Sequence, residues 1–370
     1  MEKKRILILF GGASSEHEVS MMSASSVMKA IDLHMYDLVA AGITPEGNFE
    51  LMEDQEEINQ PGWSGFKTNR FNHEDHRASL VFSPGDGRIY AKLGDHLEDL
   101  MVDAVFPVLH GPYGEDGRLQ GLLDMCGIPY VGAGVLSSAV AMDKGIAKKL
   151  FQQAGIDQTP HWETRIPDAG INLERHIFEV EERLSYPVFV KPANLGSSVG
   201  ISKAGNRKEL EQAMRVAAVY DQKILVEKAV NAREIECGVL GSSEPKASLP
   251  AEVLPSHDFY DYEDKYFSGA SQTKVPAALT PEQTEQVQQT ALKVYRLLEC
   301  QGLARVDFFL DRHSGQLLVN EVNTMPGFTK ISLYPKMWEA SGIDYTQLIH
   351  CLIQDAFAKI PSTENRLQKK

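Results

Sequence analysis

The chain has 370 residues, with 37 basic against 51 acidic side chains and a formal net charge of −14. At roughly 150 residues per domain that length predicts two or three domains, and 43% hydrophobic with 24% charged residues is an ordinary globular balance. The acidic excess excludes a broad nucleic-acid-binding face, which needs a basic stripe to displace counterions, but leaves room for a local cationic pocket.

Arg5 to Phe10 is a nearly continuous apolar run, as expected of a strand buried on both faces. It breaks at Gly11-Gly12-Ala13-Ser14-Ser15, and an amphipathic pattern follows through Val19, Met22, Val27, Ala30 and Ile31. Strand, Gly/Ser turn and helix make the first half of a βαβ unit. Strands at Asp37 to Ile43 and Ala104 to Leu109 extend an open parallel sheet, with 45 to 100 read as weakly patterned connections. The segment His110-Gly-Pro-Tyr-Gly-Glu-Asp-Gly117 then lies at a strand's carboxyl end, where α/β sheets place ligands.

A second block starts near Met142-Asp-Lys144, with a helix at about 143–154, a loop, a helix at 173–184 and a strand from Pro187 to Lys191. After Pro192-Ala-Asn-Leu-Gly-Ser-Ser-Val-Gly200, a helix at 207–219 and a strand from Lys223 to Lys228 close this unit. A third block carries strands at 233–241 and 249–254 and an aromatic-acidic loop from Phe259 to Tyr266. Thr280-Pro281-Glu-Gln283 is a helix-start signal, its helix running to about Cys300. A final helix near 345–358 stacks Leu348, Leu352, Ile353 and Phe357, and 363–370 reads as a frayed tail.

Cys126, Cys237, Cys300 and Cys351 are far apart with no CxxC, so buried thiols in a reducing cytoplasm are expected rather than a disulfide framework. The apolar run behind Met-Glu-Lys-Lys-Arg is too short for a signal segment. No stretch approaches the roughly 18 apolar residues of a membrane span. The expectation is a soluble, cytoplasmic protein with no membrane partner.

The segment from Arg305 to Asn323 reads as an antiparallel hairpin with a five-residue loop. Residues two apart share a strand face, so Arg305 and Asp307 point one way, as do Glu321 and Asn323. A register pairing Leu310 with Leu318 sets Asp307 opposite Glu321. Facing carboxylates about 5 Å apart repel. A hard divalent cation accepting Asp, Glu and Asn oxygens would offset this, with Mg2+ and phosphate oxygens the best fit; the alternatives are a solvated pair or one neutralised by Arg305.

Lys191-Pro-Ala-Asn-Leu-Gly-Ser-Ser-Val-Gly200 follows a strand and contains no acidic residue. Gly196 and Gly200 permit close backbone approach, Ser197 and Ser198 offer hydroxyls, and consecutive N–H groups can form an anion nest. It lacks the Gly-Lys-Ser/Thr of a Walker loop, so an ordinary surface loop is the alternative. Lys144, Lys191 and Lys228 could supply point charges to phosphates, or could simply be solvated. His17 and His313 read as surface residues, Tyr260 and Tyr262 as loop packing, and Met21, Met22 and Met28 as core.

Seven segments in order, GGASSEHEVS (11–20), HGPYGEDGRLQG (110–121), MDK (142–144), VKPANLGSSVGISK (190–203), YDYEDKY (260–266), ARVDFF (304–309) and NEVNTMPGFT (320–329), make the chain resemble the ATP-grasp ligases, and among them the D-alanine–D-alanine ligase family. The resemblance implies a three-domain α/β ATP-grasp architecture. An N-terminal open parallel, Rossmann-like substrate domain (1–140) precedes two α+β subdomains (141–230 and 231–362, the latter with the metal site) that enclose ATP. It implies ATP-dependent ligation of two D-alanine molecules through an acyl phosphate, for peptidoglycan, with Mg2+ (Mn2+ able to substitute) and a homodimer. By the same resemblance, Glu16 holds the first D-alanine's ammonium and His110 lies close to that substrate. Lys144, Lys191, Ser198 and Lys265 contact ATP phosphates; Glu227, Lys228 and Glu234 serve adenine and ribose. Asp307, Glu321 and Asn323 are the metal ligands. Ser197 and Tyr266 link with Glu16 to close two loops, Arg305 and the Gly327 N–H stabilise the oxyanion, and Ser332 and Leu333 receive the second carboxylate. Ala229-Val230 departs from the bulkier pair common in relatives, which bears on ATP affinity. The rivals are ligases using D-serine or D-lactate and a catalytically silent nucleotide-binding regulator. Lactate-making relatives carry a histidine-bearing loop in place of YDYEDKY, so Tyr266 favours D-alanine.

Overall fold

The computed structural model describes residues 3–14, 16–52, 78–167, 170–196, 198–254, 272–329 and 331–359. Ser197, the aromatic-acidic loop with Lys265 and Tyr266, and the expected tail at 363–370 lie outside the described residues. Strands β1 (Lys4–Gly11), β2 (Tyr36–Ile43), β3 (Phe49–Leu51), β4 (Ser79–Ser83), β5 (Arg88–Leu93), β6 (His96–Asp99) and β7 (Ala104–Leu109) form one sheet in the order β6-β5-β4-β3-β2-β1-β7. β1 pairs in parallel with β2 and β7, as the βαβ pattern requires. The other pairs are antiparallel. The stretch 45–100 therefore corrects the reading of weakly patterned connections, since its described residues contribute four strands. They are short and partly exposed, so they lack the apolar run that marked β1.

A second sheet, β10-β9-β11-β8, is antiparallel and contains β8 (His161–Arg165), β9 (Val188–Pro192), β10 (Ser202–Ala204) and β11 (Lys223–Lys228). β8 occupies a stretch expected to be loop. A third sheet runs β15-β14-β12-β16-β17, with β12 (Ala232–Leu240), β14 (Ala251–Leu254), β15 (Gln272–Lys274), β16 (Leu303–Asp311) and β17 (Leu317–Asn323), and β13 (Lys246–Ala247) pairs with β12. The helices among the described residues are α1 (His17–Ala30), α2 (Arg118–Cys126), α3 (Val135–Met142), α4 (Lys144–Gln153), α5 (Glu174–Glu181), α6 (Arg207–Tyr220), α7 (Pro281–Leu297), α8 (Leu333–Ala340) and α9 (Tyr345–Lys359). α7 opens with the expected capping box: Gln283 N–H donates to the Thr280 hydroxyl, and Thr280 N–H donates to the Gln283 side chain.

Around β1, β2 and β7 both faces of the first sheet are buried. Ile6, Ile8 and Phe10 pack with Val27 and Met28 of α1 and Leu348 and Leu352 of α9; Leu7 and Leu9 pack with Leu119 and Leu123 of α2. Each of the other two sheets packs one face under a long helix, and Ala251 and Val253 on the other face of the third sheet pack against Leu333 and Met337 of α8. Val188, Val190, Ile224 and Val226 lie under Leu210 and Met214 of α6, while Ile235, Cys237, Val306 and Phe308 lie under Val287, Val294 and Tyr295 of α7. Strand alternation then turns Lys191 and Glu227 to the opposite face of the second sheet, and Glu236, Arg305 and Asp307 to that of the third. Period-two patterning thus produces two polar sheet faces. All four cysteines carry free thiols, three of them buried, and no helix of the described residues is long and apolar enough to cross a membrane.

Phe328, 1% exposed, joins the first sheet to the C-terminal helices: its ring is edge-on to Phe106 at 5.9 Å and 5.6 Å from Tyr334. Phe328→Ala should lower unfolding stability by about 3–5 kcal/mol, measured by urea denaturation. A loss under 1 kcal/mol would mean this contact is not part of the cooperative core.

Candidate active site

The carboxyl ends of β1 and β7, adjacent and parallel, deliver Glu16 and His110 to one corner. The Ser20 hydroxyl accepts from Gly11 N–H at 2.7 Å and donates to Val108 O, tying the two strand ends to α1. Glu16 and His110 are both buried. His110 Nδ1 lies 3.2 Å from Met325 O and Nε2 lies 3.4 Å from the Ser23 hydroxyl; burial lowers its pKa, against the pull of Glu16. Backbone from the phosphate-loop candidate meets the same corner, because a Cβ placed on Gly196 would stand 3.9 Å from Glu16 Oε2. Gly200 of that loop has φ +74°, and a Cβ there would reach within 2.8 Å of the Tyr220 ring and 2.9 Å of Pro192.

The Met142-Asp-Lys144 segment becomes a helix start. Asp143 caps α4, accepting from Ile146 N–H at 3.0 Å and from Lys223 Nζ at 2.6 Å. Lys144 follows, its Nζ donating to Leu195 O at 2.6 Å and lying 3.5 Å from Glu321. One turn on, buried Lys148 reaches Glu227 at 2.6 Å, and Lys191 reaches the other Glu227 oxygen at 2.5 Å. Burial alone would raise the Glu227 carboxyl, but Lys148 and Lys191 together hold it far below the usual carboxylate range. Burial pushes Lys148 down despite Glu227. For Lys191, Glu227 with Glu321 and Glu234 overcomes burial and pushes it up.

The hairpin brings Asp307 opposite Glu321 and Arg305 opposite Asn323. The expected pairing of Leu310 with Leu318 is wrong, since Leu310 faces Leu317. An irregularity between Asp307 and Phe308, with Phe308 on Val319, inserts one residue and restores the Asp307–Glu321 pair. Arg305 donates to both Asp307 oxygens at 2.7 Å, and Asn323 Nδ2 to Asp307 Oδ2 at 2.8 Å. Arg305 Nε also stands 3.0 Å from Glu236 on β12. Burial alone would lower the Arg305 pKa; Asp307 and Glu236 more than offset it. Two facing carboxylates with an amide beside them form an all-oxygen donor set of the kind a hard divalent cation takes, so the residues present fit Mg2+ in chemistry. Among the described residues no group of three His, Cys, Asp or Glu has metal-binding geometry, which leaves the remaining ligands to come from elsewhere.

These corners enclose one cavity. Glu16, His110 and Glu115 line it from the first sheet, and Lys144, Leu195 and Gly196 from α4 and the phosphate-loop candidate. Glu236, Arg305, Glu321, Asn323, Gly327, Ser332 and Leu333 line it from the C-terminal half. Ser332 stands at the N-cap of α8, beside the unpaired N–H groups of a helix start. Lys191, Glu227 and Asp307 join through the contacts above. Ser198 (φ +59°), Lys228 and Glu234 are not among the lining residues. Lys228 is exposed and, next in sequence to Glu227, points to the other sheet face.

A family model described as D-ala D-ala ligase N-terminus matches residues 5–133, and one described as D-ala D-ala ligase C-terminus matches residues 150–354. The chain belongs to the D-alanine–D-alanine ligase family. A D-alanine–D-alanine ligase from Acetivibrio thermocellus is 45% identical over 361 residues, 95% of each chain. One from Thermoanaerobacter sp. is 46% identical over 363 residues, 95% of this chain and 96% of the relative. Among solved structures, the D-alanine–D-alanine ligase from Coxiella burnetii superposes with a TM-score of 0.84 at 34% identity, over 100% of this chain and 98% of its own. The VanG D-Ala:D-Ser ligase from Enterococcus faecalis gives 0.82 at 36%, over 96% and 100%. The fold is thus the mixed α/β ATP-grasp fold of that family.

Three residues of this cavity and its ion-pair cluster escaped sequence reasoning: Lys148, Glu236 and Glu115. Lys148 is one turn from Lys144 on the same helix face, and Glu236 is two residues from Glu234 on β12. Those spacings were the available signals.

Glu227→Gln leaves Lys148 and Lys191 buried with a neutral partner, and should cost about 3–5 kcal/mol of unfolding stability. A carboxyl depressed in the folded state stabilises above its unfolded pKa of about 4.3, and that contribution is lost as pH falls toward the folded value. Wild-type stability should therefore drop below about pH 4, and the variant's drop should be shallower in urea titrations across pH. Parallel curves for the two proteins would rule out the double ion pair.

Proposed function

We propose that the chain joins two D-alanine molecules into D-alanyl-D-alanine for peptidoglycan synthesis, with ATP converted to ADP and phosphate through an acyl phosphate. The observation that carries the reading is the single cavity in which Glu16 and His110 meet Lys144, Arg305 and the Gly327–Leu333 segment. An amino acid needs an anion for its ammonium and a cation or N–H groups for its carboxylate, and both kinds stand there. A carboxylate is a poor acyl donor; phosphorylation turns one of its oxygens into a leaving group.

In this reading Glu16 holds the first ammonium, with His110 against that substrate. Lys144 and Lys191, with Ser198, Ser197 and Lys265, face the phosphates. Glu227 holds Lys191 and Lys148 in place, and the β11–β12 connection, with Lys228 through its backbone and Glu234, takes adenine and ribose. Arg305 and the Gly327 N–H stabilise the oxyanion, while Ser332 and Leu333 at the start of α8 receive the second carboxylate. Ser197 and Tyr266 close over the reactants, excluding water that would hydrolyse the acyl phosphate. Asp307, Glu321 and Asn323 would hold Mg2+, with Mn2+ able to substitute; when bound it offsets repulsion among the phosphate oxygens. Three domains at 1–140, 141–230 and 231–362, a homodimer and a cytoplasmic location belong to the same reading.

ADP release measured by a coupled assay should require both Mg2+ and D-alanine. It should not respond to L-alanine, and D-serine or D-lactate added with D-alanine should not become the preferred acceptor. Turnover with L-alanine alone would sink the assignment, and a preference for D-serine would select the activity named for the Enterococcus faecalis relative. Glu321→Gln should abolish turnover with an unchanged unfolding midpoint; a wild-type rate would show that the hairpin pair does not hold the metal.

A further inference from the structure

We propose that Glu115 is the proton acceptor for the second amino acid, taking the proton its ammonium must lose before the nitrogen can attack. The inference rests on the ligation reading above. The two substrates pose different problems. The first ammonium never reacts and needs only a counter-charge. The second has no lone pair until a proton leaves, so a group beside it must accept that proton and then give it up.

The cavity holds two carboxylates from the N-terminal half, and they flank one residue. Gly111, with φ +74°, donates its N–H to Glu115 Oε2 at 3.0 Å, while a Cβ placed on Gly111 would stand 3.4 Å from Glu16 Oε2. The Gly111 N–H meets only one of the two Glu115 carboxylate oxygens. His110 is committed at both ring nitrogens, to Met325 O and the Ser23 hydroxyl. One carboxylate therefore suits the first ammonium and the other remains for the second.

Burial first, then Glu16, pushes the Glu115 carboxyl up to about 8, with Glu321 adding to the rise and the Gly111 N–H and Arg305 opposing it. The charged and titratable neighbours are thus Glu16 before α1, His110 and Asp116 in its own loop, Arg305 on β16 and Glu321 on β17. An acceptor works best with a pKa near the operating pH. The first substrate's ammonium, arriving at Glu16, offsets the part of this rise that comes from the Glu16 charge and shifts Glu115 toward its ionised form. The second ammonium then gives one proton to the Glu115 carboxylate. The freed lone pair forms the C–N bond at the acyl carbon, and the acyl C–O bond breaks with its electron pair leaving on phosphate. The second proton lost by the nitrogen departs with the phosphate.

Hydroxylamine separates this step from the rest, because it is already neutral near pH 7 and needs no acceptor. In Glu115→Gln the amide oxygen can still accept the Gly111 N–H. Dipeptide formation should fall by roughly 10²-fold, whereas D-alanyl hydroxamate formation from ATP, D-alanine and hydroxylamine should stay within about threefold of wild type; Glu115→Asp should recover part of the dipeptide rate. An unchanged dipeptide rate, or Glu115→Asp no better than Glu115→Gln, would overturn the proposal. So would an equal fall in both products or unfolding of both variants, which would assign Glu115 to the loop's architecture. Failure of the ligation reading would look different: wild-type protein would form neither product.

Discussion

Lys148 and Lys191 share the single carboxylate of Glu227 inside the protein, and two ammoniums on one carboxylate leave a positive charge over. In low dielectric such a surplus is costly unless an anion lies near, and the nearest further acids are Glu321 and Glu234, across on the third sheet. The same cluster sets geometry as well as charge. Lys148 anchors α4 on β11, and Lys144, one turn earlier on that helix face, is thereby aimed at Leu195 O and Glu321. One ion pair thus fixes where the second cation stands relative to the third sheet.

The third sheet carries the opposite imbalance. Arg305 lies between Asp307 and Glu236, one guanidinium against two carboxylates, with Glu321 opposite Asp307. A surplus of positive charge on one sheet and of negative charge on the other is the arrangement expected where phosphates and a divalent cation meet. Arg305 also answers the alternative weighed for the hairpin. With no cation present it neutralises Asp307, and Glu236 gives it a second carboxylate to hold if Asp307 is engaged elsewhere.

What could be read in the sequence divides along the range of the interactions. β7 and β11 were legible to the residue, as was the α7 capping box, because buried runs and caps are written in consecutive positions. The β3–β6 meander was not legible, since short, half-exposed strands are held by neighbours rather than by their own pattern. The hairpin lies between these cases: the facing pair Asp307–Glu321 was correct and the register was one residue out, because a bulge leaves no mark on alternation until the strands are paired. Glu16, His110 and Ser332 stood out through family resemblance, and Arg305 and Glu321 already through the alternation of the hairpin strands. Lys148, Glu236 and Glu115 look like solvated surface charges in one dimension, and only the meeting of the sheets buries Lys148 and Glu236 and brings the half-buried Glu115 to the cavity.

The net charge of −14 is a poor guide to what such a site accepts. Charges separated by more than about 8 Å of saline solvent are largely screened from one another, so the sum over the chain fades before it reaches the cavity. Lys148, Lys191 and Arg305 act at contact distance, away from water, where screening is weak. The acids that lower the total are in part the ones that hold these cations: Glu227 fixes two lysines, and Asp307 and Glu236 fix the arginine. Removing them would make the chain less acidic and the pocket worse at holding an anion, because the cations would lose the partners that keep them buried and aimed.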